Sequence, residues 1–181
     1  MKAFTRRASL LTAVVLVSGA QLRAQAAAAP TGFRGEFLSQ LGQLESKFAQ
    51  LATAVPKDKY DWRPGTGVRS VCEVFMHISV DNYLLGKPFG LAMPKEMEGP
   101  TAENCPADKA AVMNIMKVLF AALRGAVTAM PDADLAQPFT LFGATQTKRA
   151  WLLATAEHAG EHLGQQIAYA RMNGVVPPWS K

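Results

Sequence analysis

The sequence predicts an all-α protein built as a four-helix bundle, because four stretches space their apolar residues as helices do and none has a convincing strand pattern. Prolines and glycines separate these stretches and mark the connections between them. The chain has 181 residues, which is enough for one domain with a well-buried core.

The first helix is predicted over residues 33–54 and ends before Val55-Pro56. One face of it carries apolar residues at intervals of three and four: Phe37, Leu41, Leu44, Phe48 and Leu51. The second helix is predicted over residues 70–85, where Ser70 and Glu73 have the spacing of a capping box. Its predicted core face consists of Val71, Val74, Ile78 and Leu85.

A connection over residues 86–108 contains four prolines and precedes the third predicted helix, over residues 107–129. The buried face of that helix is predicted to hold Val112, Ile115, Met116, Leu119, Phe120 and Leu123. Residues 131–146 are predicted to form a short connection without strands. The fourth helix is predicted over residues 147–173, with Gly174 in the left-handed position that follows many helices.

Residues 1–26 are predicted to be a cleavable signal peptide, which leaves residues 27–181 as the helical domain. They combine a basic start, an apolar run too short for a membrane helix and the small residues Ala24 and Ala26 around a cleavage point. A retained membrane anchor is the alternative, and Arg6-Arg7 is a weak match to a twin-arginine signal. We therefore expect a periplasmic or secreted protein without a stable membrane span after cleavage.

Cleavage of the signal peptide would change the net charge of the domain, and export would change the expected state of its two cysteines. The whole chain carries 19 basic and 14 acidic residues, and four of the basic ones lie in residues 1–26, so the mature domain has 15 basic residues and a net charge of +1. Such a domain has no electrostatic basis for binding nucleic acid. Cys72 and Cys105 form a candidate disulfide because export implies an oxidising compartment, although spacing alone leaves the bridge undecided.

The three histidines of the chain all lie within predicted helices. His158 and His162 are one turn apart on one face of the fourth helix, so both rings can bind one transition-metal ion. Glu161 completes an H-x-x-E-H string, but the inverted zinc-protease motif needs a downstream third ligand, and no Asp, Glu, His or Cys follows His162. The remaining histidine, His77 of the second helix, is the candidate third ligand.

Three histidines from two helices would leave a coordination position open for water, which is typical of catalytic rather than structural metal sites. Asp81 follows His77 by one turn and could orient its ring or join the metal. Glu161 is the candidate general base, or it is a solvated neighbour of the histidines. Gln165 could hold a substrate or make a helix contact. The alternative for the histidines is an ordinary polar role without metal.

Two stretches resemble the DinB/YfiT-like superfamily of four-helix-bundle metalloproteins. They are DWRPGTGVRSVCEVFMHISVDNYLL and HAGEHLGQQIAYARMNGVVPPWS. The matching residues of the first are Trp62, Arg63, Pro64, Arg69, Ser70 and His77, and those of the second are His158, His162, Gly164, Gln165, Tyr169, Arg171, Asn173, Gly174, Pro177 and Pro178. The resemblance implies a divalent metal ion, commonly zinc or nickel, on His77, His158 and His162, and it implies homodimers.

Three functions are open at this point. The leading one is an exported metal-dependent enzyme, a hydrolase or transferase, acting on a small molecule of unknown identity. The second is a non-catalytic metal-binding or stress-related bundle, and the third is a helical interaction module without metal. The resemblance also implies thiol-dependent transfer for some relatives, but an exported chain lacks the cytoplasmic thiol pool and is a poor candidate for it.

Overall fold

The computed structural model describes residues 30–92, 94–95, 104–106 and 108–180. Four helices form the predicted bundle: α1 (Gly32–Ala54), α2 (Val71–Leu84), α3 (Lys109–Ala129) and α4 (Lys148–Met172). Both α1 and α2 pack against α3 and α4, so each helix has two principal neighbours. The predicted signal peptide, residues 1–26, lies outside the described residues.

The core is continuous across the four helices and contains the apolar faces predicted for α1, α2 and α3. At its centre Phe48 of α1 is fully buried, with its ring centroid 6.5 Å from that of Phe75 on α2 and 6.0 Å from that of Phe120 on α3. Aromatic pairs at these separations add to the free energy gained by burying their area. This packing sets the position of α2, and therefore of His77, relative to the other helices.

Local signals at the helix ends have the geometry that the sequence predicts. Ser70 and Glu73 form the capping box of α2: the Ser70 hydroxyl accepts from the Glu73 amide at 3.2 Å, and the Glu73 carboxylate accepts from the Ser70 amide at 2.7 Å. The α3 helix begins two residues later than predicted because Asp108 is its N-cap. Gly174 follows α4 with a φ of 75°, as predicted.

The prediction that the chain has no strand is wrong for residues 131–146 and their continuation into Thr147. Strands β1 (Pro138–Leu141) and β2 (Ala144–Thr147) pair as an antiparallel hairpin before α4. Phe142 and Gly143 form its two-residue turn, and both have positive φ, 52° and 77°. Two-residue hairpin turns of this kind usually carry Asn-Gly, so the Phe142-Gly143 pair lacks the sequence pattern that would have predicted the hairpin.

Of the described helices, α3 alone is long and apolar enough to cross a membrane by length and composition. Its apolar residues include Val112, Leu119 and Leu123, which are fully buried in the core of the bundle. This match is weak because the core helix of a folded domain passes the same test.

The candidate disulfide is present: Cys72 at the start of α2 is joined to Cys105, with 5.9 Å between their Cα atoms. It ties the long connection before α3 to the second helix across a sequence separation of 33 residues. The structure thus agrees with the pairing that the two cysteines allow.

Replacing both cysteines by serine is expected to lower the free energy of unfolding by about 3–4 kcal/mol, because the unfolded chain regains the entropy that a loop of this length loses when closed. Urea unfolding of the oxidised wild type and the Cys72→Ser/Cys105→Ser variant measures the difference. Wild-type protein unfolded with a reductant is the control and should match the variant. Equal midpoints for the oxidised wild type and the variant would contradict a structural role for the bridge.

Candidate metal centre

The structure brings the three histidines together where α2 packs on α4. The ring centroid of His77 is 5.2 Å from that of His158 and 4.5 Å from that of His162, and the two rings of α4 are 4.6 Å apart. Each ring offers one nitrogen to a group whose members all lie within 4.8 Å of one another. One cation with metal–nitrogen bonds of about 2.0–2.1 Å could contact all three nitrogens if the rings moved closer together.

Asp81 stands one helical turn beyond His77 and adds a carboxylate to the cluster. Its Oδ2 atom lies 3.4 Å from Nε2 of His77 and 3.2 Å from Nε2 of His158. Both separations exceed the ~2.7–2.9 Å of a charge-assisted hydrogen bond. The carboxylate therefore lies beside the nitrogens of two rings without a tight bond to either.

On the far side of the cluster, His162 is held by two residues of its own helix. Its Nδ1 atom is 2.8 Å from Oε1 of Gln165, whose Nε2 donates to the Tyr169 hydroxyl at 2.9 Å. Gln165 thus makes the helix contact that the sequence allows. The next residue, Gln166, is buried and donates to the backbone oxygen of Val71 at 2.6 Å, which fastens α4 to the first turn of α2.

Burial sets the protonation of the cluster. It lowers the pKa of His77 to about 4, and positive charge on Arg69, His162 and His158 acts in the same direction. Burial likewise lowers the pKa of His158 and raises that of Asp81. His77 and His158 are therefore neutral near pH 7, the form in which an imidazole binds a metal ion.

Acidification is expected to destabilise the metal-free protein. Below the ordinary pKa of 6.5 the unfolded His77 takes up a proton, whereas the folded one does so only near pH 4. His77 therefore binds more protons in the unfolded state in this window, and it lowers the free energy of unfolding by at most about 1.4 kcal/mol per pH unit as the pH drops from 6.5 toward 4. The lowered pKa of His158 acts in the same direction, and the raised pKa of Asp81 acts against it.

Melting temperatures between pH 7 and pH 5 in a chelator measure this effect, with His77→Gln as the control. The variant should lose less stability than the wild type over the same range. Identical slopes for the two proteins would contradict the burial of a neutral His77.

Glu161, the predicted general base, is exposed on α4. Its charge favours the protonated form of His158 and so opposes the effect of burial there. A direct role in proton transfer stays a prediction. The Asp81 carboxylate lies beside the Nε2 atoms of His77 and His158. Its spacing of four residues from His77 was the sequence signal that placed it near the cluster.

The donor set fits a divalent transition metal. Three imidazoles with a carboxylate beside them suit zinc, nickel and related ions, and two of the three rings are held neutral by burial. His158 Nδ1 is buried without a hydrogen-bond partner among the described residues, so the site has unused bonding capacity.

An apolar cleft of about 380 Å³ lies elsewhere, between α1 and α3. It contains no histidine, and its lining residues are Glu45, Ala49, Met113, Asn114, Met116 and Lys117.

Four packed helices with three imidazoles between two of them define a class, the helical-bundle proteins with a candidate transition-metal site. The sequence profile of the DinB superfamily matches residues 40–166 of this chain. The chain belongs to the DinB superfamily, as the motifs around the histidines predict. No protein with a curated description matches it.

Solved structures with the same fold include a DinB-like protein from Bacillus cereus, with a TM-score of 0.70, 17% identity, and coverage of 78% of this chain and 93% of that one. A DinB-like protein from Bacillus subtilis has a TM-score of 0.62 and 21% identity and covers 77% and 92%. YfiT from Bacillus subtilis has a TM-score of 0.63 and 15% identity and covers 78% and 88%. YfiT is described as a probable metal-dependent hydrolase with an unusual four-helix bundle topology.

Proposed function

We propose that this chain is a divalent-metal-dependent hydrolase of small molecules, with His77, His158 and His162 as the metal ligands. The observation that carries the proposal is the meeting of three imidazole nitrogens within 4.8 Å of one another. The description of YfiT, a relative in fold, supports the same class of activity. Zinc and nickel are the proposed ions because imidazole ligands suit both.

The bound cation would supply Lewis-acid activation of water. The three histidines would hold the ion, and the side chains of two of them keep some exposure, 14% for His77 and 22% for His158, which would give a small substrate access to the site. Asp81 is placed to accept a proton at Oδ2, because that atom lies beside the Nε2 atoms of two ligands. Glu161, which is exposed on α4 and whose charge acts on His158, is the second candidate for this role.

Hydrolysis of a panel of activated esters, amides and phosphodiesters, measured with and without added zinc or nickel, tests the proposal. We expect metal-dependent turnover that Asp81→Asn lowers by about 10²-fold or more while the metal content stays at the wild-type level. Glu161→Gln is the matched control, and a larger loss there than in Asp81→Asn would transfer the role of base to Glu161. Turnover that a chelator leaves unchanged would contradict the proposal.

A non-catalytic metal-binding or stress-related bundle is the second candidate, and one observation favours it. Asp81 lies close enough to two ligand nitrogens to occupy a coordination position itself, and closed four-ligand sites are typically structural. Cobalt substitution separates the two candidates. An optical spectrum that changes when azide or another small anion is added indicates an open position, and an unchanged spectrum indicates a closed one.

The protein is proposed to be exported and to act in the periplasm or outside the cell. The pattern of residues 1–26 supports it, and so does the disulfide between Cys72 and Cys105, since such bridges persist mainly in oxidising compartments. Homodimer formation and the lack of nucleic-acid binding stay predictions.

A further inference from the structure

A line of hydrogen bonds leads away from the histidine cluster along α4. It begins at Nδ1 of His162, which is 2.8 Å from Oε1 of Gln165, and continues from Nε2 of Gln165 to the Tyr169 hydroxyl at 2.9 Å. The three residues follow one another at spacings of three and four, so they share one face of the helix. Nothing in the proposed hydrolysis uses Gln165 or Tyr169 directly.

The orientation of the Gln165 amide and the tautomer of His162 depend on each other. A neutral imidazole carries one N–H and one lone pair, and the partner of one nitrogen decides which is which. With Oε1 of Gln165, which only accepts, beside Nδ1 of His162, the matching tautomer carries its hydrogen on Nδ1. The lone pair is then on Nε2, which becomes the nitrogen that can bind a cation.

The opposite arrangement makes the same number of hydrogen bonds. If the Gln165 amide turns over, its Nε2 donates to Nδ1 of His162 and its Oε1 accepts from the Tyr169 hydroxyl. The hydrogen of His162 then moves to Nε2, and that nitrogen can no longer bind an ion. Metal binding at Nε2 is therefore compatible with only one of the two orientations of this amide.

The side chain of Tyr169 is held in place by burial and by packing against Trp62. Its side chain is 5% exposed, and its ring meets that of Trp62 edge to face at a centroid distance of 5.4 Å. Trp62 is pinned in turn, because its backbone oxygen accepts from the amide of Val71 at the start of α2. The loop before α2 thus supports a residue of α4 through this aromatic pair.

We propose that Gln165 and Tyr169 are positioning residues that hold His162 in the tautomer able to bind the ion through Nε2. The inference rests on the metal site of the proposed function. It assigns to Gln165 the part that a carboxylate or backbone carbonyl plays behind many metal-binding histidines. The Tyr169 hydroxyl, which can donate or accept, holds the Gln165 side chain beside His162.

Titration of zinc and of nickel into purified protein without a histidine tag, followed by calorimetry, tests the proposal through four variants. Gln165→Leu removes the acceptor and should weaken binding by about 10–100-fold. Gln165→Glu offers only acceptor oxygens, so it should bind at least as tightly as the wild type. Tyr169→Phe should weaken binding less than Gln165→Leu. Gln43→Leu, on the exposed face of α1, is the control and should match the wild type.

Nitrogen-15 NMR of the metal-free protein reads the tautomer of His162 independently of the ion. We expect the hydrogen on Nδ1 in the wild type and in Gln165→Glu, and a mixture of tautomers in Gln165→Leu. Wild-type affinity in Gln165→Leu, or a Gln165→Glu variant as weak as Gln165→Leu, would overturn the inference. A hydrogen found on Nε2 of His162 in the metal-free wild type would also overturn the inference. A wild type that binds no ion would instead contradict the proposed function.

Discussion

Replacing His158 and His162 together by alanine is expected to weaken binding of a divalent ion by roughly 10⁴-fold or more. Zinc sites with a full ligand set have apparent binding free energies of about 10–16 kcal/mol, so the loss of two of three imidazoles removes several kcal/mol. Isothermal titration of zinc or nickel into wild type and variant measures the loss. The stabilisation that the ion gives the folded state, about 2.7 kcal/mol at 100 times the dissociation constant, should vanish with it.

The variant is a sharp test because the fold should survive it. Both histidines lie in the interior of α4, where alanine has the highest helix propensity. Glu157→Ala, on an exposed position of the same helix, is the matched control and should keep the ion. A double variant that binds the ion as the wild type does would show that the ligands lie elsewhere.

Phe48→Ala is expected to lower the free energy of unfolding by about 3–5 kcal/mol, which is a large share of the stability of a domain of this size. The side chain is fully buried between Phe75 and Phe120, so its removal leaves a cavity among three helices. Urea unfolding measures the change.

Phe142→Ala is the control for this prediction. That phenylalanine is 71% exposed at the tip of the hairpin, and its removal should change the free energy of unfolding by no more than about 0.5 kcal/mol. Equal losses from the two replacements would contradict the arrangement of the core described above.

The parts of the fold that follow from local chemistry could be predicted from the sequence. The capping box at Ser70 and the apolar spacing of α1 and α3 are properties of neighbouring residues, and the structure has them where they were expected. The hairpin could not be predicted in this way. Every residue of β2 is exposed, so its strand has no buried face to produce an alternating pattern, and Phe142 stands where asparagine is usual in such a turn.

The candidate site also combines local contacts, which the sequence predicts, with contacts between helices, which it does not. His158 and His162 are four residues apart on one helix, so their proximity follows from helical geometry. His77 was assigned as their partner because no other histidine remained, and its approach depends on how α2 packs against α4. The contact between Trp62 and Tyr169 joins residues far apart in the chain, and no local pattern predicts it.

The metal content of the protein shows whether the three histidines form a metal site. The measurement is elemental mass spectrometry of tag-free protein, purified without chelators and again after incubation with zinc or nickel and extensive dialysis. We expect about one ion per chain, bound by His77, His158 and His162. A chain that holds no stoichiometric metal after both treatments would contradict this expectation.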